Sequence, residues 1–527
     1  MKNIITLNFI LQLIFNIPIS LFSQSNPPVV QWQNSFGGTG DDEAYSMQQT
    51  IDGGYIVAGS SNSIDGDVSG NRGNRDYWVV KLDSVGNLQW EKSLGGSNDD
   101  EAYSIQQTSD YGYVVAGYSK SNDGDLTINH GSRDFWVVKL NSSGSIQWQK
   151  SFGGTNDEWA SSIKQTIDGG YMAAGTTESM DGDVSGNHGN LDYWIVKLDS
   201  VGNIQWQKCY GGSGGEEAKS IQQTIDTGYI VVGSSDSNNG DISWNNGARD
   251  YWIVKLNNIG NIEWNRSLGG SDPDGAQSVS LSDPWGWGYI VGGFAESSDG
   301  DVNGHIGYNN DFWILQINPI GVVQWTRSLG GTSSDAAMSI QQTTDYGFII
   351  CGVTNSDDGD VQGNHSQFTS DYWIVKLNNQ GSIEWNKCLG GSADEWASSI
   401  QQTSDSGYIV AGNSYSNDGD VTNHHGNVGS SDFWVVKLSP DITIGVDEIT
   451  STYFAVYPTI TNGDLHIRTN ENLSLNGTYK ILDTQGRICK SGAFNSNTIL
   501  VGELSPQLYF IQLITKQGIG NSKFIKE

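Results

Sequence analysis

One unit of about sixty residues is repeated seven times, and this repetition constrains the fold more than any other feature of the chain. Two tryptophan markers define the unit. One Trp stands shortly before a Gly-Gly pair, and another follows Asp and an aromatic residue and precedes an apolar run. The first marker falls at Trp32, Trp90, Trp148, Trp206, Trp264, Trp325 and Trp385, and the second at Trp78, Trp136, Trp194, Trp252, Trp313, Trp373 and Trp434. Since one unit cannot bury its own apolar face, successive units must pack against each other.

Each unit is predicted to contain four β-strands, because its apolar residues have a period of two and glycine-rich turns separate them. In the first unit the strands are expected at 44–50, 55–59, 77–82 and 87–94. The first is small and polar, the next two are apolar, and the fourth alternates apolar with polar residues. This gradient is typical of a propeller blade that runs from a crowded axis to a wet rim. The sequence therefore predicts an all-β fold with a seven-bladed β-propeller over residues 29–440.

The ends of the repeat region indicate how the propeller closes. The seventh unit has three expected strands, at 397–403, 408–412 and 433–438, and lacks the fourth. Residues 29–35 (VVQWQNS) precede the first unit and have the pattern of a fourth strand. Pairing them with 433–438 would complete the last blade and remove two open sheet edges. We therefore predict closure by the N-terminal strand.

The N-terminus and the overall charge restrict the compartment and the partners. Residues 1–23 combine Lys2, an interrupted apolar run and Ser23, which predicts a secretory signal peptide that is too short and polar for a membrane anchor. No other stretch suggests a membrane span. The formal net charge of −32 argues against nucleic acid or an anionic membrane surface as a partner. Four cysteines in 527 residues do not suggest a disulfide framework.

The composition changes after a short linker at 441–452. Residues 453–527 contain no Trp and three ordered motifs: VYPTITNGDLHI at 456–467, YKILDTQGRI at 479–488 and LYFIQLITKQGIGNSKFIKE at 508–527. This segment resembles the C-terminal sorting domain of the type IX secretion system of Bacteroidota. The resemblance implies a small C-terminal β-sandwich that the type IX secretion machinery recognises. It also implies transport through the periplasm, to a secreted or outer-membrane surface location.

The repeat region also resembles a group of secreted Bacteroidota repeat proteins. Phrases such as SIQQTSDSGYIVAGNSYSNDGDV at 399–421 carry this resemblance, which covers residues 29–438. It implies the propeller fold and no particular activity, because one fold supports many functions.

An acidic loop between the second and third strands has two interpretations. Its twelve-residue copies at 65–76 (DGDVSGNRGNRD) and 181–192 (DGDVSGNHGNLD) have the oxygen spacing of an EF-hand loop, which makes calcium a possible cofactor. The alternative is a plain Asx-turn, in which Asp accepts backbone hydrogen bonds and Gly adopts positive φ. The candidate calcium ligands are Asp65, Asp67, Ser69, Asp76, Asp181, Asp183, Ser185 and Asp192.

Four tryptophans outside the markers are candidate ligand-binding residues. Trp159 and Trp396 stand where other units have Glu, just before the expected axial strand, and Trp285 and Trp287 lie in a lengthened hairpin. Aromatic rings at such positions suit stacking on a sugar or anchoring a protein partner. Local packing is the alternative interpretation.

Two classes of function are compatible with these features. The first is a secreted or cell-surface binding propeller for a glycan or protein ligand. The second is a secreted polysaccharide-degrading enzyme, a glycoside hydrolase or lyase, with two carboxylates about 5–10 Å apart at the channel mouth. The acids of the repeats are equivalent in all seven units, whereas catalysis needs unlike groups with separated pKa values. The sequence therefore favours binding and assigns no catalytic residue.

Overall fold

The computed structural model describes residues 26–282, 288–366, 368–426, 429–441, 454–457, 460–469, 477–483, 487–494, 496–515 and 518–526. The predicted signal peptide at 1–23 and the linker from 442 to 452 lie outside these residues. The chain divides into two units, Met1–Asp441 and Ile442–Glu527. The regular elements of the described residues are all β-strands. These residues contain no helix long and apolar enough to cross a membrane.

The described residues of the repeat region form seven antiparallel four-stranded sheets. Its strands are β1 Val30–Phe36, β2 Asp42–Gln49, β3 Tyr55–Ser61, β4 Asp76–Leu82, β5 Leu88–Leu94, β6 Asp100–Gln107, β7 Tyr113–Ser119, β8 Asp134–Leu140, β9 Ile146–Phe152, β10 Glu158–Gln165, β11 Tyr171–Thr177, β12 Asp192–Leu198, β13 Ile204–Tyr210, β14 Glu216–Gln223, β15 Tyr229–Ser235, β16 Asp250–Leu256, β17 Ile262–Leu268, β18 Asp274–Leu281, β19 Tyr289–Ala295, β20 Asp311–Ile317, β21 Val323–Leu329, β22 Asp335–Gln342, β23 Phe348–Thr354, β24 Asp371–Leu377, β25 Ile383–Leu389, β26 Glu395–Gln402, β27 Tyr408–Ser414 and β28 Asp432–Leu438. Sheets 1 to 6 are β2–β5, β6–β9, β10–β13, β14–β17, β18–β21 and β22–β25, and sheet 7 is β26–β28 with β1.

The predicted all-β class is confirmed, and the repeated four-stranded sheets are consistent with a β-propeller. In the first unit the expected strands agree with β2–β5 within two residues at each end. Burial also follows the expected gradient, since every residue of β3 and β4 is buried while β5 is partly exposed.

The last sheet takes its outer strand from the start of the repeat region. β1 pairs antiparallel with β28, with Asn34 opposite Val435 and Ser35 opposite Trp434. The indole N–H of Trp434 also donates a hydrogen bond to Oε1 of Gln33, at 2.7 Å. The predicted pairing of 29–35 with 433–438 is therefore confirmed.

Hydrogen bonds join the first strands of neighbouring sheets, which we call the inner strands: β2, β6, β10, β14, β18, β22 and β26. At each junction a serine hydroxyl of one inner strand accepts the backbone N–H of the next. The seven donor–acceptor pairs are Ile105–Ser46, Ile163–Ser104, Ile221–Ser162, Val279–Ser220, Ile340–Ser278, Ile400–Ser339 and Met47–Ser399. Because the last pair returns to β2, the series links sheet 7 to sheet 1.

Both tryptophan markers make contacts between neighbouring sheets. Each second-marker Trp is buried and packs against an aromatic ring of the preceding sheet, with ring centroids 4.5–4.7 Å apart. Trp78 and Phe433 form the pair between sheets 1 and 7. The first-marker Trp32 lies over Gly86, where a Cβ atom would come within 2.7 Å of its ring. Aromatic packing of this kind adds about 1 kcal/mol per pair beyond area burial.

The C-terminal unit is also built from β-strands. They are β29 Phe454–Tyr457, β30 Ile460–Thr461, β31 Asp464–Thr469, β32 Gly477–Leu482, β33 Ile488–Phe494, β34 Thr498–Leu500, β35 Gln507–Thr515 and β36 Gly518–Lys526. They form a three-stranded sheet, β29-β31-β34, and a five-stranded sheet, β30-β36-β35-β32-β33. Leu465 and Ile499 of the smaller sheet share one apolar core with Ile481, Tyr509 and Phe524 of the larger.

Deleting residues 29–35 should destabilise the repeat region far more than the loss of seven residues suggests. The deletion removes most of the β1–β28 pairing and exposes the edge of β28. We expect a loss of several kcal/mol, at about 1 kcal/mol for each backbone hydrogen bond, and a clearly lower melting temperature by calorimetry. The matched control Gln33→Ala removes only the two side-chain hydrogen bonds of Gln33, with Trp434 and Thr422, and should cost much less. A deletion that melts with the wild type would contradict the role of β1.

Candidate functional site

A cavity of about 560 Å³ lies between the inner strands of the seven sheets. Serine and glutamine side chains from all seven inner strands make up much of its lining. Tyr45, Tyr103 and Trp159 add aromatic rings. Hydroxyl and amide groups both donate and accept hydrogen bonds, so the cavity suits a polar ligand with hydroxyl groups of its own.

The second and fourth residues of the inner strands, which we call the rim, break the sevenfold symmetry. The second residues are Glu43, Glu101, Trp159, Glu217, Gly275, Ala336 and Trp396, and the fourth are Tyr45, Tyr103, Ser161, Lys219, Gln277, Met338 and Ser398. Charged and aromatic side chains are therefore concentrated on sheets 1 to 4. Sheets 5 and 6 carry small or uncharged residues there.

An aromatic cluster holds one side of the rim in place. The rings of Tyr45 and Tyr103 meet edge to face at 5.1 Å, and Tyr103 lies 5.9 Å from Tyr118. The hydroxyl of Tyr45 donates to Glu43, and that of Tyr103 donates to Glu101 at 2.9 Å. Burial and the neighbouring carboxylates raise the pKa of both tyrosines far above the ordinary value, so both hydroxyls remain protonated donors.

Basic partners neutralise acidic side chains of the rim. Glu43 contacts Arg75 at 3.0 Å, and Glu217 contacts Lys219 at 2.9 Å and Arg249 at 2.8 Å. Burial alone would raise the pKa of Glu43 and Glu217, but these bonds and charges hold both pKa values below the ordinary one. Both acids are therefore ionised and paired. The described residues that line the cavity include no Asp or Glu.

The structure separates the tryptophans predicted to bind ligand. Trp159 is half-buried and lines the cavity. Trp396 occupies the equivalent position on sheet 7 and is 50% exposed, but it is outside the cavity lining. Trp285 and Trp287 lie outside the described residues.

The candidate calcium ligands of the first loop have four different partners. The carboxylate of Asp65 accepts from the Thr39 N–H at 2.7 Å, that of Asp67 from the Gly37 N–H at 3.4 Å, and that of Asp76 from the Arg72 N–H at 3.0 Å. The hydroxyl of Ser69 donates to Glu91. Backbone donors that bind the carboxylates are what the turn interpretation requires.

The second loop repeats this arrangement. The carboxylate of Asp181 accepts from the Thr155 N–H at 2.8 Å, that of Asp183 from the Gly153 N–H at 3.3 Å, and that of Asp192 from the His188 N–H at 3.0 Å. The hydroxyl oxygen of Ser185 accepts from Gln207. Among the described residues, no three His, Cys, Asp or Glu side chains are grouped so that they could hold a metal ion. The structure thus does not bring the eight candidate ligands together, and calcium binding stays a prediction.

Asp76, the last residue of the first loop, instead faces a buried acid of the next sheet. An oxygen of Asp76 and one of Asp100 each lie 2.5 Å from the point where a Cβ on Gly95 would be placed. Both acids are fully buried, and Oδ1 of Asp76 has no hydrogen-bond partner within the described structure. The other six junctions contain Glu158–Asp134, Glu216–Asp192, Asp274–Asp250, Asp335–Asp311, Glu395–Asp371 and Asp42–Asp432. The repeat pattern contained both acids of each pair but gave no indication that they meet.

Asp76 and Asp42 of these pairs bind protons unusually tightly. Burial, with a further contribution from Asp100, raises the pKa of Asp76 to about 7. Burial likewise raises the pKa of Asp42 to about 6, with a smaller contribution from Asp432. A carboxyl with such a pKa is partly protonated near neutral pH, which lowers the cost of burying it beside a second acid.

His130 and His188 also lie at these sheet junctions, although their sequence context suggests surface turns. Nδ1 of His130 lies 2.7 Å from Oδ2 of Asp134, and Nδ1 of His188 lies 2.7 Å from Oδ2 of Asp192. His365 makes the equivalent contact to Asp371. These three histidines therefore contact acids of the sheet junctions, and none of them is part of the described cavity lining.

Comparison with known proteins identifies the C-terminal segment. Residues 455–527 match the family described as the secretion system C-terminal sorting domain. The chain carries a type IX sorting tail. This tail indicates handling by the type IX secretion machinery and export to the cell surface or secretion.

Larger parts of the chain have more distant likenesses. The regulatory protein FlaEY of Caulobacter vibrioides is 25% identical over 203 residues, which cover 35% of this chain and 21% of that protein. This chain thus spans about a fifth of that relative's length. Two solved structures are each 12% identical to this chain. Sqt1 of Chaetomium thermophilum has a TM-score of 0.39, and the match covers 79% of this chain and 99% of that one. PorZ of Porphyromonas gingivalis, a surface component of the type-IX secretion system, has a TM-score of 0.36, and the match covers 93% of this chain and 60% of that one. None of these likenesses assigns a function.

The junction acids predict an unusual dependence of stability on pH. The pKa of Asp76 is about 7 in the folded protein and near 3.8 in an unfolded chain, so the folded state binds the proton more tightly. The stabilisation is complete below the unfolded pKa and is lost as pH rises through the folded pKa. We expect the free energy of unfolding, measured by denaturant titration, to fall from pH 5 to pH 8.

Asp76→Asn tests this explanation directly. The amide keeps an acceptor for the Arg72 N–H and offers Asp100 a donor, so the variant should be about 1 kcal/mol more stable at pH 8 and less sensitive to pH. The control Asp83→Asn changes an exposed turn acid and should leave the slope nearly unchanged. A flat stability profile in the wild type would contradict the raised pKa values of the junction acids.

A chelator experiment distinguishes the two interpretations of the acidic loops. If the loops are plain turns, in which each carboxylate already has its own donor, EGTA leaves the melting temperature unchanged. If calcium binds only the folded state, a hundredfold excess over its dissociation constant would add about 2.7 kcal/mol of stability. A fall in melting temperature that calcium reverses, and that Asp67→Ala with Asp183→Ala abolishes, would show that the loops bind the ion.

Proposed function

We propose that this protein is a secreted or surface-displayed seven-bladed β-propeller that binds a glycan at the rim of its central cavity. In this proposal the N-terminal strand closes the propeller, and a β-sandwich at 453–527 is the type IX sorting domain. The sorting tail, the β1–β28 pairing and the polar cavity support the proposal.

The observation that carries the binding function is the asymmetry of the rim. Seven nearly identical inner strands would produce seven equivalent positions, yet Trp159, Tyr45 and Tyr103 lie on sheets 1 to 3. Aromatic faces beside serine and glutamine side chains suit a sugar, because its apolar ring face can stack while its hydroxyl groups form hydrogen bonds. A protein partner with an exposed polar segment is the other ligand that this rim could accept.

The polysaccharide-degrading alternative has less support. Glycosidic cleavage usually needs two carboxyl groups at the bond, one of them with a raised pKa. No Asp or Glu is part of the described cavity lining. At the rim, basic partners lower the pKa of Glu43 and Glu217 against the effect of burial, which does not suit a proton donor.

Trp159→Ala should weaken glycan binding by about tenfold or more, equivalent to about 1.4 kcal/mol, because it removes the aromatic ring that lines the cavity. The measurement is a glycan array with the secreted chain, followed by calorimetric titration of the best ligand. Trp244→Ala is the matched control, since Trp244 is 69% exposed and outside the cavity lining. Equal affinities for the wild type and the Trp159 variant would contradict binding at the rim.

A further inference from the structure

One residue in the cavity breaks the pattern of the seven inner strands. The seventh residues of these strands all line the cavity: Gln48, Gln106, Lys164, Gln222, Ser280, Gln341 and Gln401. Five are amides and one is a hydroxyl, so Lys164 is the single charged group at this level. In the sequence, Lys164 replaces the first glutamine of a Gln-Gln pair that five other units contain.

Lys164 cannot replace the glutamine that stands in the other sheets. Oε1 of Gln106 accepts the backbone N–H of Gln165 at 2.6 Å, and Gln48 does the same for Gln107 at 2.6 Å. A lysine ammonium has three donors and no acceptor. In the described part of the chain, Nζ of Lys164 has no hydrogen bond and no ion pair. The substitution therefore gives up a contact between sheets without gaining one inside the protein.

The surroundings of Lys164 contain no counter-charge. No Asp or Glu is part of the described cavity lining, and the other lysine of the lining, Lys219, is paired with Glu217 at 2.9 Å. Burial lowers the pKa of Lys164, and no charged neighbour opposes this effect. Lys164 is half-buried in the cavity, and a partly desolvated ammonium without a partner carries a cost that an anionic ligand group would relieve. Since the whole chain carries a net charge of −32, this cation is not part of a general basic surface.

We propose that the cavity binds an acidic oligosaccharide, with a carboxylate or sulfate group bound to the ammonium of Lys164. This inference rests on the proposed glycan-binding function and adds the charge of the ligand. Trp159 and Lys164 lie on the same inner strand, β10, five residues and roughly 16 Å apart at the usual rise of a strand. A ligand that contacts both is therefore a chain of several sugar rings, with its acidic group at the inner end.

The test compares acidic probes with their neutral counterparts. The probes are a galacturonic acid trisaccharide and its methyl ester, and a sulfated galactan trisaccharide and its desulfated form. We expect the full secreted chain at pH 7 to bind at least one acidic form about tenfold more tightly than its neutral partner in calorimetric titrations. The pair that shows the preference identifies the anionic group as a carboxylate or a sulfate.

Two variants show whether Lys164 causes the preference. Lys164→Gln introduces the glutamine that five other sheets have at this position, with its acceptor for a backbone N–H of the next strand, so the variant should fold. Its affinities for the acidic and neutral forms should lie within about twofold of each other. Lys164→Arg keeps the charge and should retain the preference. An acid preference that survives in Lys164→Gln, or equal binding of both forms by the wild type, would overturn the inference and leave the proposed function intact. If the wild type binds none of the four probes while the glycan array finds a neutral ligand, the inference also fails. Failure of the array as well would overturn the proposed function.

Discussion

Each sheet of the repeat region depends on its two neighbours to cover its apolar faces. The third strand of the first sheet, β4, is buried along its whole length, although the sheet is only one layer thick. Its cover comes from Phe433 of sheet 7 on one side and from Trp136 of sheet 2 on the other. The hydrogen bonds of the inner strands follow the same order and return to the first sheet. The N-terminal strand β1 is therefore part of the last sheet and cannot be treated as a free extension.

This dependence also explains where the chain can vary. Positions at the sheet junctions repeat almost without change, because a substitution there would disturb two sheets at once. The paired acids at Gly95 show how close these contacts are, since a side chain on that glycine would overlap both carboxylates. Residues that line the cavity are less constrained, because a lysine in place of the glutamine at this level gives up only one hydrogen bond to the next strand. Trp159 and Lys164 could therefore diverge in one unit while the fold stayed intact.

Much of the fold could be predicted from the sequence, because the repeat length, the period of two and the missing fourth strand are all local patterns. The partner of Asp76 could not be predicted, since Asp100 lies in the next unit and the two acids meet only when sheets pack. The calcium hypothesis used the spacing of residues 65–76, but spacing does not determine where side chains point. Lys164 was missed because a single Lys within a polar strand looks like an exposed residue. The sorting tail was recognised because its motifs occur in order at the end of the chain.

The central claim is that the cavity between the inner strands is the ligand-binding site. Hydrogen–deuterium exchange of the secreted chain, with and without a saturating oligosaccharide, tests this claim most directly. The account predicts protection in peptides that cover β10 and β14, the inner strands with Trp159, Lys164 and Lys219, and little change in the outer strands such as β5 and β9. Protection confined to the outer strands or to the acidic loops, with β10 and β14 unchanged, would contradict it.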